Sequence, residues 1–197
     1  SVLLSKAGEH AKALAAADTA SGIFEVLRRD DPNDARAALD VAGILMRRGK
    51  IMREAGHAEA ALATLSEART RAEDAVRRSP DSTEAMAIAA EALDEIGTSL
   101  TQMHRFGEAV PALQASLVKR EAILARDPQF PVILHAIAAL HRSLAVARWR
   151  QGSPAEACRS YARALEITRD LRARAVPPIP TPEQIDALRR EQAPCLA

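Results

Sequence analysis

The sequence predicts an all-α fold, an alpha-alpha superhelix of about seven long antiparallel helices closed by a short C-terminal capping helix. Three observations carry that expectation. A Gly-x-x-x-x-x-Leu phrase at Gly8 and Leu14 returns at Gly56 and Leu62, and Pro32, Pro80 and Pro128 mark breaks at the same interval of 48 residues. Aromatic residues make up only 3% of a chain that is 48% hydrophobic, so alanine carries much of the apolar surface, which suits closely crossing helices and suits strands poorly. Within each period the apolar residues recur at i, i+4, i+7 and i+8, the spacing of one helical face.

The elements follow from the period. Residues 31–78, 79–126 and 127–174 form three full repeats, preceded by a half repeat over 8–30, and together they make an array spanning 1–175. In each repeat helix A covers roughly 34–55, 82–103 and 130–151, and helix B roughly 58–78, 107–126 and 154–174, with an extra B helix at 8–29. Helices of about twenty residues run about 30 Å at 1.5 Å per residue. Asp81 with Glu84 signals one helix start, and Ser153-Pro154-Ala155-Glu156 another, with Ser at the N-cap, Pro at N1 and Glu at N3. Small residues stand 48 apart at Gly49, Gly97 and Ala145 and again at Ala42, Ala90 and Ala138, where an A helix must cross its partner closely. Ala109, Leu113, Ser116 and Leu117 in one B helix match Ala157, Tyr161, Ala164 and Leu165 in the next. Glu59-Ala60 sits one residue early relative to Glu108-Ala109, which predicts a tightened A–B loop in the first full repeat.

Beyond the array, 176–197 reads as a Pro-rich link and a cap. Val176-Pro177-Pro178-Ile179-Pro180 is stiff and extended. Thr181-Pro182-Glu183-Gln184 then opens a helix at about 182–191, whose Ile185 and Leu188, with Leu196, fold over the apolar face left open by the last B helix. The rival expectation is a free tail that recruits a partner.

Glu156-Ala157, Tyr161, Ala164-Leu165 and the small Ala145 resemble the tetratricopeptide repeat (TPR). Glu108-Ala109, Leu113, Ser116-Leu117, Pro128, Gly49 and Gly97 follow the same pattern more loosely. The usual TPR period is 34, and the 14 added residues here are close to four helical turns, so each helix can lengthen by two turns without rotating its faces out of phase. This long-helix form is similar to arrays at the C-terminal end of bacterial serine/threonine kinases and other signalling proteins. Arg48 and Arg148 depart from the apolar residues at the matching positions. The resemblance implies a non-enzymatic scaffold that binds a peptide or partner domain through the exposed face of its A helices. Its alternative is a structural or dimerisation domain of a multidomain kinase, with contacts through terminal helices at Leu3, Leu4 or Ile185.

On that face the resemblance singles out Arg47, Lys50 and Arg53, with Asp94 and Arg142 at the position of Met46 and Trp149 at that of Arg53 in later repeats. The basic stripe can clamp a carboxylate, since Arg offers a fork and Lys a mobile charge; it is equally an ordinary solvated face offset by Asp94 and Glu95. Trp149 is either an exposed anchor or, the favoured reading, filler beneath the terminal helix or at a helix crossing.

Other function classes find little support. Basic and acidic residues number 27 and 26, so net charge does not point to nucleic acid or an anionic membrane, and no apolar run is long enough to span a bilayer. Cys158 and Cys195 lack ligand spacing, and Cys158 matches Val110 one repeat earlier, so it reads as a small buried apolar residue and the chain as cytoplasmic. His135 and His141 share a helix but lie six residues apart, off any common metal-binding face. Each Gly stands alone, and no acid–base pair converges, so no cofactor, metal or catalytic residue is expected.

Overall fold

The computed structural model describes residues 2–30, 35–128 and 132–195, which places Pro32 and Leu196 outside the described residues. These residues form α1 (Val2–Asp30), α2 (Ala35–Glu54), α3 (Ala58–Arg78), α4 (Thr83–Gln102), α5 (Phe106–Arg126), α6 (Val132–Gln151), α7 (Pro154–Ala173) and α8 (Pro182–Gln192), with a single 3-10 turn at Ala193–Cys195. The fold is all-α, and within each compact unit helices adjacent in the chain pack on one another. Two compact units result, Ser1–His104 and Arg105–Ala197.

The period is written into the helix boundaries. α3, α5 and α7 begin at residues 58, 106 and 154, and α2 and α4 at 35 and 83, while α6 begins one residue later than that spacing. The A–B turns share a second marker. Gly56, His104 and Gly152, each 48 apart, all have positive φ, at 90°, 59° and 87°. A residue in this left-handed conformation lets the backbone reverse and return its N–H to the helix just ended: His57 N–H donates to Met52 O and Ser153 N–H to Arg148 O, both at 2.9 Å. Two of the three positions are glycine because a Cβ is penalised there.

In the first unit α2 packs on α1, α3 and α4. Val41, Leu45, Met46, Ala68 and Ala92 make one buried cluster, and Ala42, Ala72 and Ala89 a second, with Ile88 against both. Small side chains are what let these helices approach. A Cβ added at Gly49 would lie 2.5 Å from Leu65 Cγ, so this crossing of α2 and α3 admits only hydrogen. Arg48, the apparent intruder in the apolar pattern, reaches Asp18 of α1 at 2.8 Å. α1 is longer than a half repeat over 8–29, at 29 residues.

Two local expectations are corrected. Ala60 is exposed and Ala61 fully buried, so the first repeat keeps register with Ala109 and Ala157, and the shorter A–B connection belongs to the third repeat, between Gln151 and Pro154. The cap of α4 is Ser82 rather than Asp81: its hydroxyl accepts from the Ala85 N–H at 3.1 Å. Ser153 stands at the N-cap of α7 without a side-chain cap bond.

In the second unit α6 packs between α5 and α7, and α8 returns onto α7. Thr181 and Gln184 form a reciprocal capping box at the start of α8, with bonds of 3.3 and 2.8 Å. Ile185 and Leu188 are then buried with Ala145, Tyr161, Ala164 and Leu165. Arg148, the other apparent departure, donates to Ser160 Oγ at 2.7 Å and lies 3.3 Å from Glu156, tying α6 to α7.

Candidate functional site

In the first unit the A-helix face is a charged seam between α2 and α4. Arg53 Nε donates to Glu95 Oε2 at 2.6 Å, and both side chains are largely buried, 13% and 10% exposed. Lys50 Nζ lies 3.5 Å from Glu95 and 3.9 Å from Glu91, and Arg36 closes the far end on Glu84 at 2.7 Å. Arg53 and Lys50 are therefore engaged by α4 carboxylates, with Glu95 as the central acceptor. Arg47 is exposed and Asp94 half-buried. Of the basic stripe, Arg47 and the outer part of Lys50 face solvent.

In the second unit Arg142 does not present an open guanidinium. It makes a bidentate pair with Glu191 of α8, Nε donating to Oε2 at 2.7 Å. A cavity of about 520 Å³ lies beside this pair, walled by α6, α7, the Pro178–Thr181 link and α8. His135 lines it from α6, its Nε2 buried without a hydrogen-bond partner. Trp149 is 40% exposed at the end of α6, which corrects the expectation that it fills space under the terminal helix. On the other side of α6, a second cavity of about 330 Å³ is lined by Val118, His141, Arg148 and Arg159 among others. Burial, then the charges of Arg163 and Arg148, hold the His141 imidazole below the ordinary histidine range.

The cysteines are the clearest miss of sequence reading. Cys158 and Cys195 are joined in a disulfide, with Cα atoms 5.5 Å apart, so Cys158 is a crosslink between α7 and the 3-10 turn after α8 rather than a plain apolar filler. Such bonds persist in oxidising compartments, which removes cysteine usage as support for a cytoplasmic setting. Among the described residues no group of three or more His, Cys, Asp or Glu gathers as a metal site, and no helix is long and apolar enough to cross a membrane.

No protein-family model matches the chain. No curated protein matches it in sequence. A crystal structure of MamA protein aligns over 82% of this chain and 94% of that one, at 16% identity and a TM-score of 0.31. A likeness of that size carries no weight for fold or function, which leaves this chain's own residues as the basis for a functional reading.

Proposed function

We propose that the protein is a non-catalytic protein-interaction module, a TPR-like array whose outward A-helix positions contact a peptide or partner domain. One observation supports this above the rest: the small residues at the helix crossings are kept from repeat to repeat while the A-helix side chains beside them are not. Ala42, Ala90 and Ala138 are all buried, as are Gly49, Gly97 and Ala145. Exposed Arg47 shares its position with Glu95 and Ser143, and exposed Trp149 shares its with Arg53 and Thr101, without shared chemistry; Arg53 and Glu95 are engaged with each other in the α2–α4 seam. A row of equivalent helices bearing different side chains is a surface that distinguishes partners, and an exposed Trp is the kind of anchor such surfaces use. Attachment to a bacterial signalling kinase belongs to the same reading through the family resemblance. Photo-crosslinking residues placed at Arg47 and Trp149, set against Glu166 as a control, test it. Partner capture confined to the first two, and lost in an Arg47→Glu/Lys50→Glu/Trp149→Ala chain, is expected; equal capture at all three positions contradicts the location.

A homodimer is the second reading, and one observation favours it. Ile23 and Val26 of α1 are 57% and 55% exposed and stand three residues apart on one helical face. Ile185 offers nothing to it, being buried between α8 and the Tyr161–Leu165 surface, and the side chains of Leu3 and Leu4 lie outside the described residues. Light scattering of wild type against Ile23→Lys/Val26→Lys decides: a dimer that dissociates supports this reading, a wild-type monomer at high concentration ends it.

A further inference from the structure

α8 sits where the next A helix of the array would begin, and it sits there badly. α2 and α4, the equivalent pair in the first unit, pack along an ion-paired seam, whereas α8 meets α6 at Ala145 and through Glu191 on Arg142 with a cavity beside that pair. Three things hold it. Ile185 and Leu188 insert against Ala145 of α6 and Tyr161, Ala164 and Leu165 of α7; Glu191 pairs with Arg142; and the Cys158–Cys195 bond ties the chain just beyond α8 to α7. The space between is the cavity of about 520 Å³, and Ala187 is the short side chain on its α8 wall.

From this geometry we infer that α8 is a disulfide-latched stand-in for a ligand, and that the face beneath it docks an amphipathic partner helix carrying the same Φ-x-x-Φ-x-x-Glu pattern as Ile185, Leu188 and Glu191. Each part of the pattern has its receptor. The two apolar residues take the Tyr161–Leu165 surface, and the acid, one turn further on, takes the Arg142 fork. A partner with a longer residue at the Ala187 position fills the cavity that α8 leaves, and so outcompetes it once the latch is open. Opening is a thiol–disulfide exchange with a dithiol: the dithiol supplies two electrons and two protons, the Cys158–Cys195 bond breaks to two thiols, and the dithiol leaves as its own disulfide. The link over 174–181 tethers α8 in either state; the closed bond also fixes its far end, so the face stays occupied, and opening the bond weakens that hold. The inference rests on reading the chain as a protein-binding array, but it uses a different surface from Arg47 and Trp149.

Fluorescence anisotropy with a labelled peptide of residues 181–195, Cys195→Ser, tests it on the full chain. The chain reduced with dithiothreitol is expected to bind at least about tenfold more tightly than the oxidised chain, and Cys158→Ser to bind alike with or without reductant. An Ile185→Asp/Leu188→Asp chain, which keeps both cysteines, is expected to bind the peptide without reductant. Ala187→Leu in the peptide gains about tenfold; Arg142→Glu in the chain loses a similar factor, restored by Glu191→Arg in the peptide. Equal affinity in the oxidised and reduced chains overturns the latch. Absence of binding to both the reduced chain and the Ile185→Asp/Leu188→Asp chain overturns the docking face. Dimers of the reduced chain that re-oxidise through interchain Cys158–Cys195 bonds make a second copy the occupant and overturn the partner. A failed crosslink at Arg47 and Trp149 leaves each of these results readable.

Discussion

Gly49→Ala loads the helix crossing that the repeat register demands. The new Cβ stands 2.5 Å from Leu65 Cγ and 2.6 Å from its Cδ2, about 1 Å or more inside the roughly 3.5–4.0 Å at which carbon atoms rest. Leu65 has no exposed surface, so relief requires α2 and α3 to separate or Leu65 to leave its rotamer. Overpacking of this kind costs about 1–3 kcal/mol. Against that, replacing a helical Gly with Ala regains about 1 kcal/mol of propensity. The net runs from about zero to a loss of about 2 kcal/mol, read as a fall of up to about 1 M in the urea midpoint followed by circular dichroism at 222 nm, taking a slope of about 2 kcal/mol per molar. Leu65→Ala alone costs about 2–5 kcal/mol. Combined, the two substitutions are expected to cost about 1–3 kcal/mol less than their sum, because truncating Leu65 removes the atoms that the new Cβ strikes. A Gly49→Ala that stabilises by the full propensity gain of about 1 kcal/mol, or strict additivity, refutes the close crossing.

Gly152→Ala, which forces a Cβ into a positive-φ turn, is expected to destabilise by about 1 kcal/mol in the same assay, the left-handed penalty less the entropy removed from the unfolded chain. Glu95→Ala strands Arg53 and Lys50 on the α2–α4 seam; its cost of about 2 kcal/mol falls between that of an exposed pair and a fully buried one, and a loss below about 0.5 kcal/mol in urea melts contradicts a central role for Glu95. His141 has its folded-state proton affinity depressed, so the unfolded chain binds the extra proton. Its stabilisation is present above the unfolded value near 6.5 and is lost as pH falls from there through the lowered folded value. Thermal midpoints measured from pH 7.5 downward should fall more steeply for wild type than for His141→Gln, and parallel curves count against the buried neutral imidazole.

What is legible in the sequence is whatever repeats. The period, the hairpins and the small residues at the crossings all return in the helix limits and in the burial of Ala42, Ala90 and Ala138. The same signal also holds more than its spacing first suggests. Gly56 and Gly152 stand two periods apart, and that spacing marks the left-handed turn that His104 adopts in the middle repeat. Glu59-Ala60 misleads because it imitates Glu108-Ala109, while burial follows Ala61. Contacts that break the period are not legible. Arg53 with Glu95 spans 42 residues and depends on how α2 leans on α4. Cys158 with Cys195 depends on where the chain returns after the Pro-rich link, which no local spacing records. Trp149, 40% exposed, is likewise not legible from spacing alone.

The equivalence of successive two-helix units is tested most directly by excising one whole period. Deleting residues 79–126 joins α3 to α6 with each helix meeting a neighbour of the same class, so the shortened chain is expected to stay helical and to unfold cooperatively, with dispersed amide signals in its nuclear magnetic resonance spectrum. A collapsed, non-cooperative or aggregated product, no better than one made by removing an out-of-register 34 residues, contradicts it.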